Sequence, residues 1–330
     1  MIIYVTGEDT FRSRERLKQL RDAFVKKYDP TGMNVSTLDG AGLKFEQFQQ
    51  SVASQGFLSS RRFVIVDRPF EADRKVQEAI AEFIKEKSVP EETIVVFWSG
   101  GSGGEVKKKR SKDVSEPSPL LSVLDHVKNK ELFDTLEPLE VERWIAKRAK
   151  ERGGSIERGA AERLAAFVGT DLWLAANEIE KLVHQKKGAA ITAADIEADI
   201  KGKPEANIFE FTDALSRKDH VAALTSLERH FATGANELYL LTMIARQLRI
   251  LIGIADVAST EPNPATIASR LSLHPFVVKK GLAQIRTFSQ SELLRAHDEI
   301  VFIDHRMKNT RDNARALLEM FVLRLCSGRS

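Results

Sequence analysis

Short β-branched and aromatic runs alternate with helically spaced segments through the first hundred residues, and this alternation narrows the possible folds more than any other feature. The runs fall at residues 2–5, at a weaker 35–38, at 63–66 and at 94–98. Between them, Phe11, Leu17, Leu20 and Phe24, and then Val76, Ile80, Phe83 and Ile84, follow the period of a helix. Strands that alternate with helices build a mostly parallel sheet covered on both faces. The spacing therefore predicts an α/β N-terminal domain.

Residues 99–119 break the pattern: Ser99-Gly-Gly-Ser-Gly-Gly104 leads into Lys107, Lys108, Lys109, Arg110 and Lys112, then Ser and Pro, with almost no apolar residues. This composition reads as a flexible surface loop. Helical periodicity takes over near Leu120 and is expected to hold to the end. Pro138-Leu139-Glu140 opens a helix carrying Val141, Trp144, Ile145 and Ala149 that Gly153-Gly154 stops. Helices follow around 161–168 and 172–183, with Trp173 expected to anchor the second of them in a core, and Thr192 to Asp195 reads as the cap of a short one. Beyond 207, Leu241, Ile244, Leu248 and Leu251 repeat at three and four, as do Leu317, Leu318, Phe321, Val322 and Leu325. A chain of 330 residues exceeds one ordinary core. Three domains are expected, at 1–138, 139–206 and 207–330.

An α/β domain that opens with a strand and Thr6-Gly7-Glu8-Asp9 invites comparison with nucleotide-binding proteins. A phosphate loop needs G-x-x-x-x-G-K-[ST], so that backbone amides wrap the phosphates, the lysine reaches them and the hydroxyl holds magnesium. None of these parts is present, and Glu8 and Asp9 would set negative charge where phosphate would bind. Asp67, after the third run, reads as an ordinary strand-end acid. Gly100-Gly-Ser-Gly-Gly104 matches a nucleophile elbow in letters, but leads into a lysine run where that motif needs a helix. The seven histidines, at 126, 184, 220, 230, 274, 297 and 305, have no metal-ligand spacing and read as surface or capping groups. The single cysteine, Cys326, excludes an internal disulfide and a Cys-rich zinc site. With no signal-like start and no 18-residue apolar run, a cytoplasmic, non-membrane protein without cofactors is expected.

Two features remain. Gly56-Phe57-Leu58-Ser59-Ser60-Arg61-Arg62 sets two bulky apolar residues in a Gly/Ser context before a strand. The pair reads either as core packing at the start of the strand or as an exposed plug that fills a partner's pocket. The second feature is charge. Residues 240–330 carry 13 Lys+Arg against 8 Asp+Glu, a local +5 within a net +3, concentrated at Arg306, Lys308, Arg311 and Arg315. That cluster reads either as a solvated helix face or as a phosphate-contacting surface.

Several motifs in order are similar to the delta subunit of the bacterial DNA polymerase III clamp loader. They are Tyr4-Val-Thr-Gly-Glu-Asp-Thr-Phe11, Gly56-Phe-Leu-Ser-Ser-Arg-Arg-Phe-Val-Ile-Val66, Gly169-Thr-Asp-Leu-Trp-Leu-Ala-Ala-Asn-Glu-Ile-Glu-Lys-Leu182, Asn207-Ile-Phe-Glu-Phe-Thr-Asp-Ala-Leu215, Ala245-Arg-Gln-Leu-Arg249, His274-Pro-Phe-Val-Val-Lys-Lys280 and Asp304-x-x-x-Lys308. The resemblance implies a degenerate AAA+-like parallel-sheet domain, a small helical lid and an all-α collar, with no ATP binding and no catalysis of its own within a DNA-directed DNA polymerase complex. It implies that Phe57 and Leu58 insert into the sliding clamp to open the ring, here in the reverse of the common Leu-Phe order; Arg61 and Arg62, which follow them, are available for rim electrostatics. It implies partners: the clamp, ATP-binding and delta-prime-type subunits in a hetero-pentamer, and primed DNA, for which the charge pattern offers Arg306, Lys308 and Arg311 as candidate contacts. The collar would meet its neighbours through faces of Leu241 to Leu251 and Leu317 to Leu325. Two other readings are a nucleotide-consuming AAA+ enzyme, against which the missing phosphate loop weighs, and a nucleic-acid-binding adaptor.

Overall fold

The computed structural model describes the chain apart from residues 54–60, 102–117, 201–203, 233–236, 311 and 328–330 and the side chains of 200 and 204–209. It divides into two compact units, Met1–Leu136 and Glu137–Ser330. The first is built on β1 (Ile2–Gly7), β2 (Val35–Asp39), β3 (Arg62–Asp67), β4 (Thr93–Gly100) and β5 (Asn129–Leu132). They form one sheet in the order β2-β3-β4-β1-β5, with every pair parallel. The helices of this unit are α1 (Thr10–Tyr28), α2 (Phe45–Ala53), α3 (Arg74–Lys85) and α4 (Pro119–Leu124).

Strand side chains alternate between two cores, as the two-residue period requires. Ile3, Val5, Phe63, Ile65, Val96 and Trp98 pack with Leu17 and Phe24 of α1. Tyr4, Val64, Val66, Val95 and Phe97 pack with Phe48, Ile80 and Leu120 of the other three helices. Both faces are covered, which is why the central strands read as unbroken apolar runs. Each such fully buried side chain contributes about 1.5–3 kcal/mol.

The expected unbroken helix after Leu120 is corrected here, because residues 129–132 form β5. This edge strand pairs only with β1 and is half exposed, so Asn129-Lys-Glu-Leu132 carries no apolar run to announce it.

The second unit is helical: α5 (Pro138–Glu151), α6 (Arg158–Val168), α7 (Leu172–Lys186), α8 (Ala193–Ile200), α9 (Pro204–Ser216), α10 (His220–Ala232), α11 (Glu237–Thr260), α12 (Pro264–Leu271), α13 (Pro275–Gln284), α14 (Gln290–Asn309) and α15 (Ala314–Ser327). A second departure from all-helix is a two-residue parallel pair, β6 (Ser155–Ile156) and β7 (Ala190–Ile191). Caps fix the helix starts. Glu137 and Glu140 form a capping box at α5, Thr192 and Asp195 cap each other at α8, and Ser289 and Glu292 do so at α14. The Ser289 amide and hydroxyl, with Lys218, hold the Glu292 carboxyl down at about 2.

Helix α11 is apolar and long enough to cross a membrane by length and composition. Its Leu240, Leu241, Ile244, Leu248 and Leu251 are instead packed against Phe211, Leu293, Ile300 and Phe321 in the core of this unit. Leu317, Leu318, Phe321 and Val322 are buried there too. Leu241, Ile244, Leu248 and Leu251, and Leu317, Leu318, Phe321 and Val322, are therefore satisfied internally, while Met320 and Leu323 within the expected 317–325 face stay exposed. Exposed apolar side chains lie instead at Leu294, Val301 and Phe302 of α14, on one face by their spacing of seven and eight, and at Met320 and Leu323 of α15.

Candidate functional site

The β1–α1 turn is where a phosphate loop would have to present its amides. Here the chain uses those groups itself. The Asp9 N–H donates to the Phe133 carbonyl at 2.9 Å, and the Phe133 N–H donates to the Thr6 carbonyl at 2.8 Å. Asp9 caps α1, its Oδ1 accepting the Arg12 N–H at 2.9 Å while the Arg12 guanidinium holds Oδ2. Gly7 has φ +126°, and a Cβ on it would lie 2.1 Å from the Phe133 carbonyl oxygen, so the segment leaving β5 is packed onto the turn. Nothing in the sequence pointed to Phe133, because the contact joins residues far apart in the chain.

Asp67, at the end of β3, is ion-paired as a strand-end acid. Both of its carboxylate oxygens accept from Arg14 Nη2, at 3.1 and 2.9 Å. The Arg14 guanidinium lies 3.4 Å from the centroid of the Trp98 ring, a cation–π contact that fixes its plane. Beside it the Trp98 indole donates to Ser13 Oγ at 3.2 Å. A buried hydroxyl chain runs along the same strand ends, with Ser99 Oγ 3.1 Å from the Tyr4 hydroxyl and donating to Thr6 Oγ1 at 2.9 Å. The ends of β1, β3 and β4 beside this turn are thus filled by an arginine, an indole and hydroxyls.

At the other end of β3, Phe57 and Leu58 lie outside the described residues. The two arginines that follow them diverge. The Arg61 guanidinium lies 4.3 Å from the Tyr28 ring centroid, with Lys27 Nζ 5.0 Å from the same ring. Lys27 and the charge of Arg61 draw the Tyr28 hydroxyl below its usual pKa. Arg62, the first residue of β3, turns toward β2 and donates to Ser36 Oγ at 3.1 Å.

In the second unit each basic residue singled out by charge holds an acid, apart from Arg311, which lies outside the described residues. Arg306 donates to Asp312 at 2.7 Å, Lys308 to Asp304 at 2.6 Å, and Arg315 pairs with Glu228 and Glu319. A net-charge count could not show this pairing.

Two family models match the chain: the delta subunit of DNA polymerase III over residues 4–114, and the C-terminal domain of the same subunit over residues 205–325. The chain belongs to the DNA polymerase III delta subunit family. A curated relative of this delta-family chain, DNA polymerase III subunit delta of Bacillus subtilis (strain 168), is 24% identical over 329 residues, covering 97% of this chain and 91% of the relative. A solved structure of the Bacillus subtilis DNA clamp loader delta protein matches at a TM-score of 0.61 and 23% identity, over 99% of this chain and 95% of that one. The two share a fold from end to end.

Two expectations for the helical unit of the delta-family chain are corrected. Trp173 is half exposed, because Asp171 caps α7 so that Leu172, Ala175 and Ile179 point inward and Trp173 falls one step around the helix. His230 is fully buried, in line with Ala223, Ser226 and Leu227 on the inner face of α10. His274 is a capping group as expected, though buried. Its Nδ1 accepts the Phe276 N–H at 3.2 Å, which leaves the proton on Nε2, 3.7 Å from Glu142. Burial pushes its pKa below the ordinary 6.5, opposed in part by the Glu142 charge. As pH falls through about 6.5 the unfolded chain takes up this proton before the folded chain does, so the contribution to stability is full above that pH and lost below it. Asparagine at 274 keeps the cap without the titration. The stability advantage of the natural chain over His274→Asn in urea unfolding should therefore narrow between about pH 7.5 and about pH 5; a constant gap would refute it.

Proposed function

We propose that this chain is the clamp-loader subunit that binds and opens a sliding clamp for loading onto primed DNA, without binding ATP itself. One observation carries the reading: in a delta-family chain, the β1–α1 turn is closed by Asp9, Arg12 and Phe133 where a phosphate would need free amides. The Arg14–Asp67 pair under Trp98 supports it at the adjoining strand end.

In this proposal Phe57 and Leu58 fill a pocket on the clamp, and Arg61, held over Tyr28, and Arg62 provide the charged rim. A plug that fits an opened ring better than a closed one shifts the ring toward opening by no more than its difference in affinity for the two. ATP-binding neighbours of a hetero-pentamer, together with a delta-prime-type subunit, supply the cycle by presenting or hiding the plug. Residues 1–138 act as the degenerate AAA+-like domain, 139–206 as the lid and 207–330 as the collar. The exposed face of Leu294, Val301 and Phe302 is the collar's contact with its neighbours.

The deciding experiment is co-purification of the chain with the sliding clamp, alongside a titration with ATP. Clamp capture with no saturable nucleotide binding is expected. Failure to capture the clamp, or micromolar ATP binding, would overturn the reading.

Arg306, Lys308 and Arg311 are proposed to face DNA in the assembled complex. Arg306 and Lys308 must exchange Asp312 and Asp304 for phosphate to do so. Replacing either by alanine is expected to reduce the salt slope of primed-DNA affinity by about 1 at most. An unchanged slope removes that residue from the DNA surface.

A further inference from the structure

The second unit contains a cavity of about 200 Å³ that no part of the proposed clamp-loading function uses. Its walls come from the α6–α7 turn at residues 167–170, from α11 and from the α12–α13 turn, and are mostly apolar, with Phe167 and Leu273 among them. Polar side chains interrupt this lining at Thr170, Arg246, Gln247, Ser272 and His274.

Gln247 is 5% exposed, and its carboxamide finds no hydrogen-bond partner among the described residues. Its amide atoms are not fully enclosed, so they are open to a partner that enters the cavity. Arg246 has no acid partner among the described residues. Its Nη2 lies 3.8 Å from where a Cβ on Gly169 would be, which sets the guanidinium beside the turn that lines the cavity. Gly169 itself has φ +60°, so a side chain is disfavoured there on backbone grounds as well. No carboxylate lines the cavity. Glu142 faces the lining residue His274 at Nε2, 3.7 Å away, and Arg158 at 4.0 Å, and Asp171, which follows Thr170, caps α7. A mostly apolar cavity in which a cation, an amide and a hydroxyl converge has the makeup of a small-molecule site.

We propose that this cavity binds a small organic anion, its carboxylate or phosphate head on Arg246 and Gln247 and its apolar body against Phe167 and Leu273. The guanidinium supplies a charge-assisted contact and the Gln247 amide a second, fixed donor. The inference is independent of clamp binding, since it is read on the isolated full-length chain.

The test is calorimetric titration of that chain with benzoate and with phenyl phosphate, using benzyl alcohol as the uncharged control. One-site saturable binding of at least one of the two anions is expected, at least about tenfold tighter than benzyl alcohol, with the tighter anion identifying the head group. Arg246→Ala removes an exposed side chain and should weaken that binding about tenfold or more at an unchanged unfolding midpoint. Gln247→Leu, which keeps the volume and removes the amide, should weaken it by a similar factor. Absence of saturable binding by both anions, equal binding of benzyl alcohol, or an Arg246→Ala chain that binds as well as the natural one would overturn the proposal.

Discussion

Replacing Phe57 and Leu58 together by alanine is expected to weaken clamp binding by on the order of 3 kcal/mol, about a hundredfold in Kd, while leaving the thermal unfolding of the chain unchanged. The size follows from the way interfaces concentrate their energy in a few anchors that enter a desolvated pocket, whereas charged rim contacts act mainly on the rate of encounter. Arg61→Ala should accordingly lower the association rate at low salt far more than it raises the dissociation rate. Surface-capture kinetics on an immobilised clamp separate the two effects. Affinity of the double variant within about twofold of the natural chain would remove this pair from the interface, and a parallel loss of thermal stability would return it to its other reading, core packing ahead of β3.

Gly7→Ala is expected to destabilise the first unit by roughly 3–5 kcal/mol. The new methyl would have to occupy a position 2.1 Å from the Phe133 carbonyl oxygen at a backbone φ of +126°. Relief requires the backbone after β5 to move, which loosens the Asp9 to Phe133 and Phe133 to Thr6 hydrogen bonds together. Gly32→Ala is the matched control, since Gly32 also has a positive φ, +72°, but a Cβ there meets nothing within 4 Å. It isolates the backbone term, about 1 kcal/mol. In urea titrations the Gly7 midpoint should fall well below the Gly32 midpoint at similar slope. Equal losses in the two variants would mean that the turn is not packed as described.

The strands most legible in the sequence, β1, β3 and β4, are those buried on both faces, where continuous apolar runs are unavoidable, and the edge strand β2 shows only the weaker run at 35–38. β5, the other edge, was illegible because Asn129-Lys-Glu-Leu132 carries neither an apolar run nor a β-branched residue. Helix starts could be read from Pro138, Thr192 and His274, since caps are local chemistry. Trp173 and His230 went wrong for a shared reason. Periodicity tells which residues share a helix face, but Asp171 and the packing of α10 decide which face turns inward.

The missing phosphate loop could be seen in the sequence, but what replaces it could not. Arg14 meets Asp67 across 53 positions, and the turn is closed by a residue just past β5, which neighbours β1 in the sheet but is remote in sequence. Phe57 and Leu58 were ambiguous by pattern, and only the family resemblance gave them a role. For Arg306 and Lys308, a regional excess of positive charge hid the acids that already engage them.

The bond from Asp9 to Phe133 ties the first turn of α1 to the strand at the sheet's margin. Under the proposed function, a turn whose amides are already engaged offers a nucleotide no place to switch it, so the unit would act as a fixed fitting. If it grips a ring as proposed, and its neighbours do not cover it, its concentration relative to that ring sets how much is engaged, by simple mass action. A cell that made this chain in excess of its partners would then tie up rings in proportion to the surplus, so its supply would have to be matched to theirs.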